Sequence, residues 1–188
     1  MLYHLKEYGK YAEITGYKNV KFAQVEAFLK GNRKETNGNV DLQFFDAQLI
    51  ATTEHLYFAA LNALQAFQNK TNISKTPAME TMLYASAQRQ IQKAIQRCGI
   101  KPQTTNMAAI IIGEKPTQLK AMVEAISMSV GSKPDEQVLE ISKFKEQKIA
   151  ETYQIGDEEL KAVGKNGNRA DTVVKLVIER VALLATQL

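Results

Sequence analysis

The apolar positions of this chain change period along its length, and each change predicts an element. In residues 10–17, KYAEITGY, they alternate closely enough for a strand. In 19–31, NVKFAQVEAFLKG, the residues Phe22, Val25, Ala27, Phe28 and Leu29 make a broad helical face that Gly31 ends. NRKETNGN, 32–39, is a polar loop with an Asn-Gly turn signal. VDLQFFDA, 40–47, predicts a second strand. From Thr53 to Gln68 the pattern predicts a helix with Thr52 as N-cap. It is apolar almost all round, which implies burial on more than one side or a partner interface.

QNKTNISK, 68–75, is a loop, and Thr76 followed by Pro77 opens a helix. Ser86 is expected to cap the next helix, and Gly99 to end it in the left-handed conformation, with Pro102 confirming the stop. MAAIII, 107–112, is short, branched and apolar, so it predicts a central strand. Pro116 opens a helix that Gly131 closes. EQVLEIS, 136–142, alternates as a strand, and Ser142 caps the helix after it. A short acidic helix at 156–164, a turn at 165–168 and a long helix from Arg169 to Leu188 complete the chain. The sum is an α+β fold: a small mixed or antiparallel sheet of about four strands packed with about seven helices. One domain spans 1–188, with a strand-helix region at 1–39 docking on the body at 40–188.

Composition narrows the chemistry. With 45% hydrophobic and 23% charged residues, the chain can bury a substantial core. No stretch approaches the roughly 20 apolar residues of a membrane span, so no membrane role is expected. The start, MLYHLKEYGK, has no long apolar region, which speaks against a secretory signal. Cys98 is the one cysteine, so neither an internal disulfide nor a cysteine metal cluster is available. His4 and His55 have no zinc spacing. No phosphate-loop or dinucleotide fingerprint occurs. His55, at the start of a very apolar helix, reads as structural, and Cys98 as a small core residue. Asp157, Glu158 and Glu159 read as a solvated first helical turn. The expectation is a protein with no catalytic residue, no metal and no cofactor, working in the cytoplasm, and also in the nucleus if eukaryotic.

Charge supplies a positive lead. The net charge is +4, from 24 basic and 20 acidic residues. Residues 81–113 hold Arg89, Lys93, Arg97 and Lys101 and no acid, so the whole formal excess sits there. On one continuous helix, Arg89, Lys93 and Arg97 would share one side, and Ile91, Ala94, Ile95 and Cys98 another. Tyr84 lies about one turn before this stripe and Gln88 immediately before it, and Lys70 and Lys75 could extend it. Cations for phosphates, an aromatic ring for bases and amides for base edges are the parts of a single-strand binder. The alternative is a solvated basic face with a tyrosine in the core. Four cations offset few phosphates, so binding would be modest and salt-sensitive.

Three segments carry a family resemblance. They are FDAQLIATTEH around Asp46 to His55, ETMLYASAQRQI at Glu80 to Ile91, and KAIQRCGIK at Lys93 to Lys101, with a weaker ERVAL at Glu179 to Leu183. This pattern resembles the CGI-type subunit of the KEOPS (EKC) complex, the family of the eukaryotic PRPK-binding protein (TPRKB). The resemblance covers roughly residues 40–188. It implies a small non-catalytic protein that binds the KEOPS kinase/ATPase subunit directly. It also implies an indirect link to the threonylcarbamoyl-transferase subunit of that complex, which makes threonylcarbamoyladenosine in tRNA. Archaeal members bind the single-stranded 3′ CCA end of tRNA. Carried over at the matched motif, that function falls on Gln88, Arg89, Gln90 and Lys93. Helical geometry adds Lys75, Tyr84 and Arg97. For the kinase subunit the candidates are Leu56 and Phe58 on the 53–68 helix, and Val181, Leu183 and Leu184 on the last helix. A second possibility is a protein-only allosteric regulator of the kinase that does not touch RNA.

Overall fold

A computed structural model describes residues 1–36, 38–164 and 168–186. The Asn-Gly turn at Asn37, the turn at 165–167 and the last two residues of the expected C-terminal helix lie outside the described residues. Four strands, β1 (Leu2–Leu5), β2 (Lys10–Tyr17), β3 (Val40–Asp46) and β4 (Met107–Gly113), form one antiparallel sheet in the order β1-β2-β4-β3. β4 is central, and Ile110, Ile111 and Ile112 are almost wholly buried there. Branched residues buried on both faces explain why an uninterrupted apolar run, with no alternation, forms this strand.

Strand parity divides the core in two. Ala12, Ile14, Phe45, Ala108, Ile110 and Ile112 face one side. That side is covered by α2 (Thr53–Gln68), α3 (Pro77–Ser86), α6 (Lys143–Thr152) and α8 (Arg169–Leu184). Leu42, Phe44, Met107, Ala109 and Ile111 face the other. There α5 (Pro116–Val130) supplies Leu119, Met122 and Ile126, and α1 (Val25–Glu35) packs Phe28 and Leu29 alongside. The N-terminal region is therefore part of the body, since β2 pairs with β4 and α1 packs on α5's layer. Among the described residues, two short helices complete the set, α4 (Ile91–Cys98) and α7 (Asp157–Val163).

Four expectations are corrected. Residues 136–142 do not form a strand: Glu136–Leu139 is a 3-10 turn laid across β2. Gly16 permits this crossing, because a Cβ there would lie 2.7 Å from Asp135 O and 2.8 Å from Val138 Cβ. The fourth strand is instead β1, four residues at the sheet edge that were too short to show a period. The first helix starts at Val25 and runs to Glu35, through residues expected to be loop. Gly99 is extended, with φ −70° and ψ 155°, and is not left-handed. A Cβ on Gly99 would meet Ile95 O at 2.6 Å, so close approach is what requires glycine there. The 3-10 turn is tied to α6 by Lys145, whose buried ammonium donates to Val138 O (3.1 Å) and Glu140 O (3.2 Å).

Candidate nucleic-acid interface

The helix expected to be capped by Ser86 starts later, at Ile91 with Gln90 as its N-cap. α3 runs through Ser86 and stops, Ala87 turns left-handed (φ 49°), and α4 begins at Ile91 after Gln90. Buried partners for the last carbonyls of α3 account for the stop. Leu83 O accepts from Gln88 N–H (3.0 Å) and from Ser86 Oγ (3.1 Å). Ala85 O accepts from His55 Nε2 (2.8 Å) and from Tyr153 OH (2.7 Å). Ser86 O accepts from Arg97 Nη1 (2.9 Å). Helix C-terminal carbonyls need such partners when water cannot reach them.

His55 and Cys98 belong to this same cluster. His55 Nδ1 accepts from Ala51 N–H at 3.1 Å, which leaves Nε2 to carry the proton given to Ala85 O. Burial pushes the imidazole down to about 4, against the opposing pull of Ala85 O, and Lys145 lowers it further. Cys98 Sγ lies 3.4 Å from Tyr153 OH, and burial pushes its thiol up to about 11. A neutral histidine and a protonated thiol, both fully buried, hold the turn in place and offer no nucleophile to solvent. Among the described residues, no group of His, Cys, Asp and Glu is placed to hold a metal. No helix among them is long and apolar enough to cross a membrane.

The turn and α4 present the predicted residues unevenly. Arg89, Gln90 and Lys93 are exposed. Gln88 is half-buried, and its amide donates to Ala87 O. Only Lys93 and Arg97 share the helix, because Arg89 precedes it. α4 opens with no side-chain cap and no acid in its first turn, so its first N–H groups add to the positive field. Tyr84 is corrected: it is 8% exposed, packed into the core from α3, and burial raises its hydroxyl pKa. Its ring has no face for a base. Ile91 and Ile95, grouped by spacing with Ala94 and Cys98, are 39% and 43% exposed. Only Ala94 and Cys98 of α4 are buried.

A cleft of about 580 Å³ lies beside this surface. Ile73, Lys75, Met79 and Ile91 line it together with Arg33 of α1 and Asp41 of β3. Burial raises the Asp41 carboxyl pKa. The loop bearing Ile73 and Lys75 is shaped by the buried Glu80 carboxylate. That group accepts from Ile73 N–H (3.1 Å) and Ser74 N–H (2.7 Å). Arg33, Ile73, Ile91 and Ile95 were missed as surface residues. An isoleucine inside the polar loop QNKTNISK was the available signal for Ile73. Nothing in the local pattern points to Arg33, which only the fold brings to Lys75. A smaller cleft, about 200 Å³, joins Gln88 and Arg97 to Arg180, Leu183 and Leu184. Arg180 is paired there with both Glu159 carboxylate oxygens at 3.0 Å.

The partner candidates also divide. Leu56 and Val181 are fully buried and Leu184 is 7% exposed, so all three are core residues, with only an edge of Leu184 reaching the smaller cleft. α2 and α8 bury their excess apolar side chains in the shared core, which accounts for that excess. Phe58 (38%) and Leu183 (46%) remain exposed. Tyr57 packs edge-on against Phe58 and also against Tyr3 of β1, which extends an aromatic patch.

A family model described as "Kinase binding protein CGI-121" matches residues 17–185. The span includes α1, which the motif resemblance at 40–188 left out. A curated relative from Methanocaldococcus jannaschii, named "Regulatory protein Cgi121", is 31% identical over 153 residues, which is 81% of this chain and 89% of that protein.

Proposed function

The chain belongs to the CGI-121 family of kinase-binding proteins, and from that premise we propose that it is a non-catalytic KEOPS subunit that binds the kinase/ATPase subunit and the single-stranded 3′ CCA end of tRNA. Through that complex it supports threonylcarbamoyladenosine formation, and it meets the threonylcarbamoyl-transferase subunit only indirectly. One observation carries the RNA part. Exposed Arg89, Gln90 and Lys93 lie in a stretch with no acid between Glu80 and Glu114, and Ile91 and Ile95 are exposed on another face of the short helix α4. Cations there neutralise phosphates, Gln90 reaches base edges, and the isoleucines give unstacked bases an apolar surface. Lys75, which lines the adjoining cleft together with Arg33, continues the track. Gln88 orients the turn.

For the kinase subunit, Phe58 and Leu183 are the contact residues. His55 of α2 bonds Ala85 of α3, while Leu183 and Leu184 of α8 line a cleft with Ala87. The start of α2 and the end of α8 therefore lie at one end of the helical layer. A gel-shift series tests the RNA assignment. Arg89→Glu weakens tRNA binding at least tenfold, whereas Lys143→Glu on α6 leaves it within twofold. Equal effects would overturn the assignment.

The names of the family and of the curated relative favour a second reading, a regulator that acts on the kinase without RNA. A protein that co-purifies with the kinase subunit yet shifts no tRNA at near-physiological salt would establish that reading.

A further inference from the structure

Spacing groups Arg97 with Arg89 and Lys93 as a phosphate contact, but its surroundings give it other work. Its Nη1 donates to Ser86 O at 2.9 Å, and its guanidinium carbon lies 5.7 Å above the centre of the Tyr153 ring. Tyr153 is 3% exposed, and its hydroxyl donates to Ala85 O at 2.7 Å. The two carbonyls immediately before the turn are thus held by side chains from α4 and from the end of α6. The turn begins at Ala87, a residue with a Cβ in the left-handed region, which needs surrounding structure to hold it there. We infer that Arg97 is a positioning residue for the RNA interface: with Tyr153 it fixes the turn that presents Gln88, Arg89 and Gln90, and it neutralises no phosphate itself. The inference rests on the RNA reading above for its consequence, and on the turn geometry for its cause.

The chemistry separates the two roles. A planar guanidinium can donate along its edge to a carbonyl while its face lies on a ring, and an ammonium cannot do both. A phosphate contact on a single strand contributes about 0.7 to the slope of log affinity against log salt, whereas a positioning group contributes nothing to that slope.

The test measures tRNA affinity across a salt series for full-length variants. Arg97→Lys and Arg97→Gln are each expected to weaken binding about five- to twentyfold with an unchanged slope. Tyr153→Phe, uncharged and buried, is expected to act in the same direction. Arg89→Gln is expected to lower the slope by about 0.7. Val177→Ala, a core truncation away from the turn, controls for lost stability and should leave affinity within twofold. Arg97→Lys binding like wild type, or Arg97→Gln lowering the slope as Arg89→Gln does, would overturn the inference. A second readout needs no RNA. Ala87 N–H and Gln88 N–H donate to α3 carbonyls, and Arg97→Lys should speed their hydrogen exchange about tenfold. Unchanged exchange at both amides would refute the inference. Wild-type protein that binds no tRNA would instead sink the functional reading and leave the exchange result to decide the turn.

Discussion

The two ends of α3 are built from different distances. At the start, Thr76 accepts from Met79 N–H, and Glu80 accepts from Ile73 and Ser74, all within seven residues. At the finish, Ala85 O is held from 30 and 68 residues away, and Ser86 O from 11. The near end shapes the loop that carries Lys75, and the far end shapes the turn that carries Arg89. Local capping leaves a trace in the order of residues. Long-range capping depends on the fold being complete, so it ties the geometry of the turn to the core itself.

The sharpest way to separate the ends is by pH. His55 titrates near 4 in the fold and near 6.5 when unfolded. Between those values the unfolded chain binds the extra proton, so stability rises with pH across this window. Lowering pH from about 6.5 to about 4 should therefore remove about 3 kcal/mol, with no further His55 contribution below. Urea denaturation at several pH values checks this against His55→Gln, in which that part of the slope should vanish. An unaltered slope in the variant would assign the acid sensitivity elsewhere.

The near end should respond without involving the far one. Glu80→Gln removes the charge that accepts from two backbone N–H groups, those of Ile73 and Ser74, and turns an amide NH₂ toward donors. A loss of about 2 kcal/mol is expected from urea midpoints. Hydrogen exchange at Ala87 and Gln88 should stay as in wild type. Faster exchange there would show that the two ends are not independent. The smallest effect is a gain. Ala87→Gly relieves the Cβ in the left-handed conformation, and should stabilise by about 0.5–1 kcal/mol in the same assay.

These distances also explain what could be read from the sequence. α2 matched its expected bounds, Thr53 to Gln68, because apolar density alone makes it. Thr76 before Pro77 marked the start of α3 through its own cap. β2, β3 and β4 followed from runs whose neighbours merely confirm them. A boundary at Ser86 was legible as a cap, but the turn from Ala87 to Gln90 was not, because a left-handed alanine looks like any helical alanine until His55, Tyr153 and Arg97 are placed around it. Without the turn, the spacing of four suggested one stripe with Tyr84 just before it. With the turn, Tyr84 joins the core, Arg97 turns inward, and Ile91 and Ile95 come to the surface. The charge excess was visible in composition, while Arg33's place in the cleft with Lys75 depends on how α1 docks.

The most direct test of the central claim is the affinity of the isolated protein for tRNA with and without its 3′ CCA end, at near-physiological salt. The account predicts clear binding to the intact molecule and at least tenfold weaker binding to the truncated one. Equal affinity for the two would contradict it.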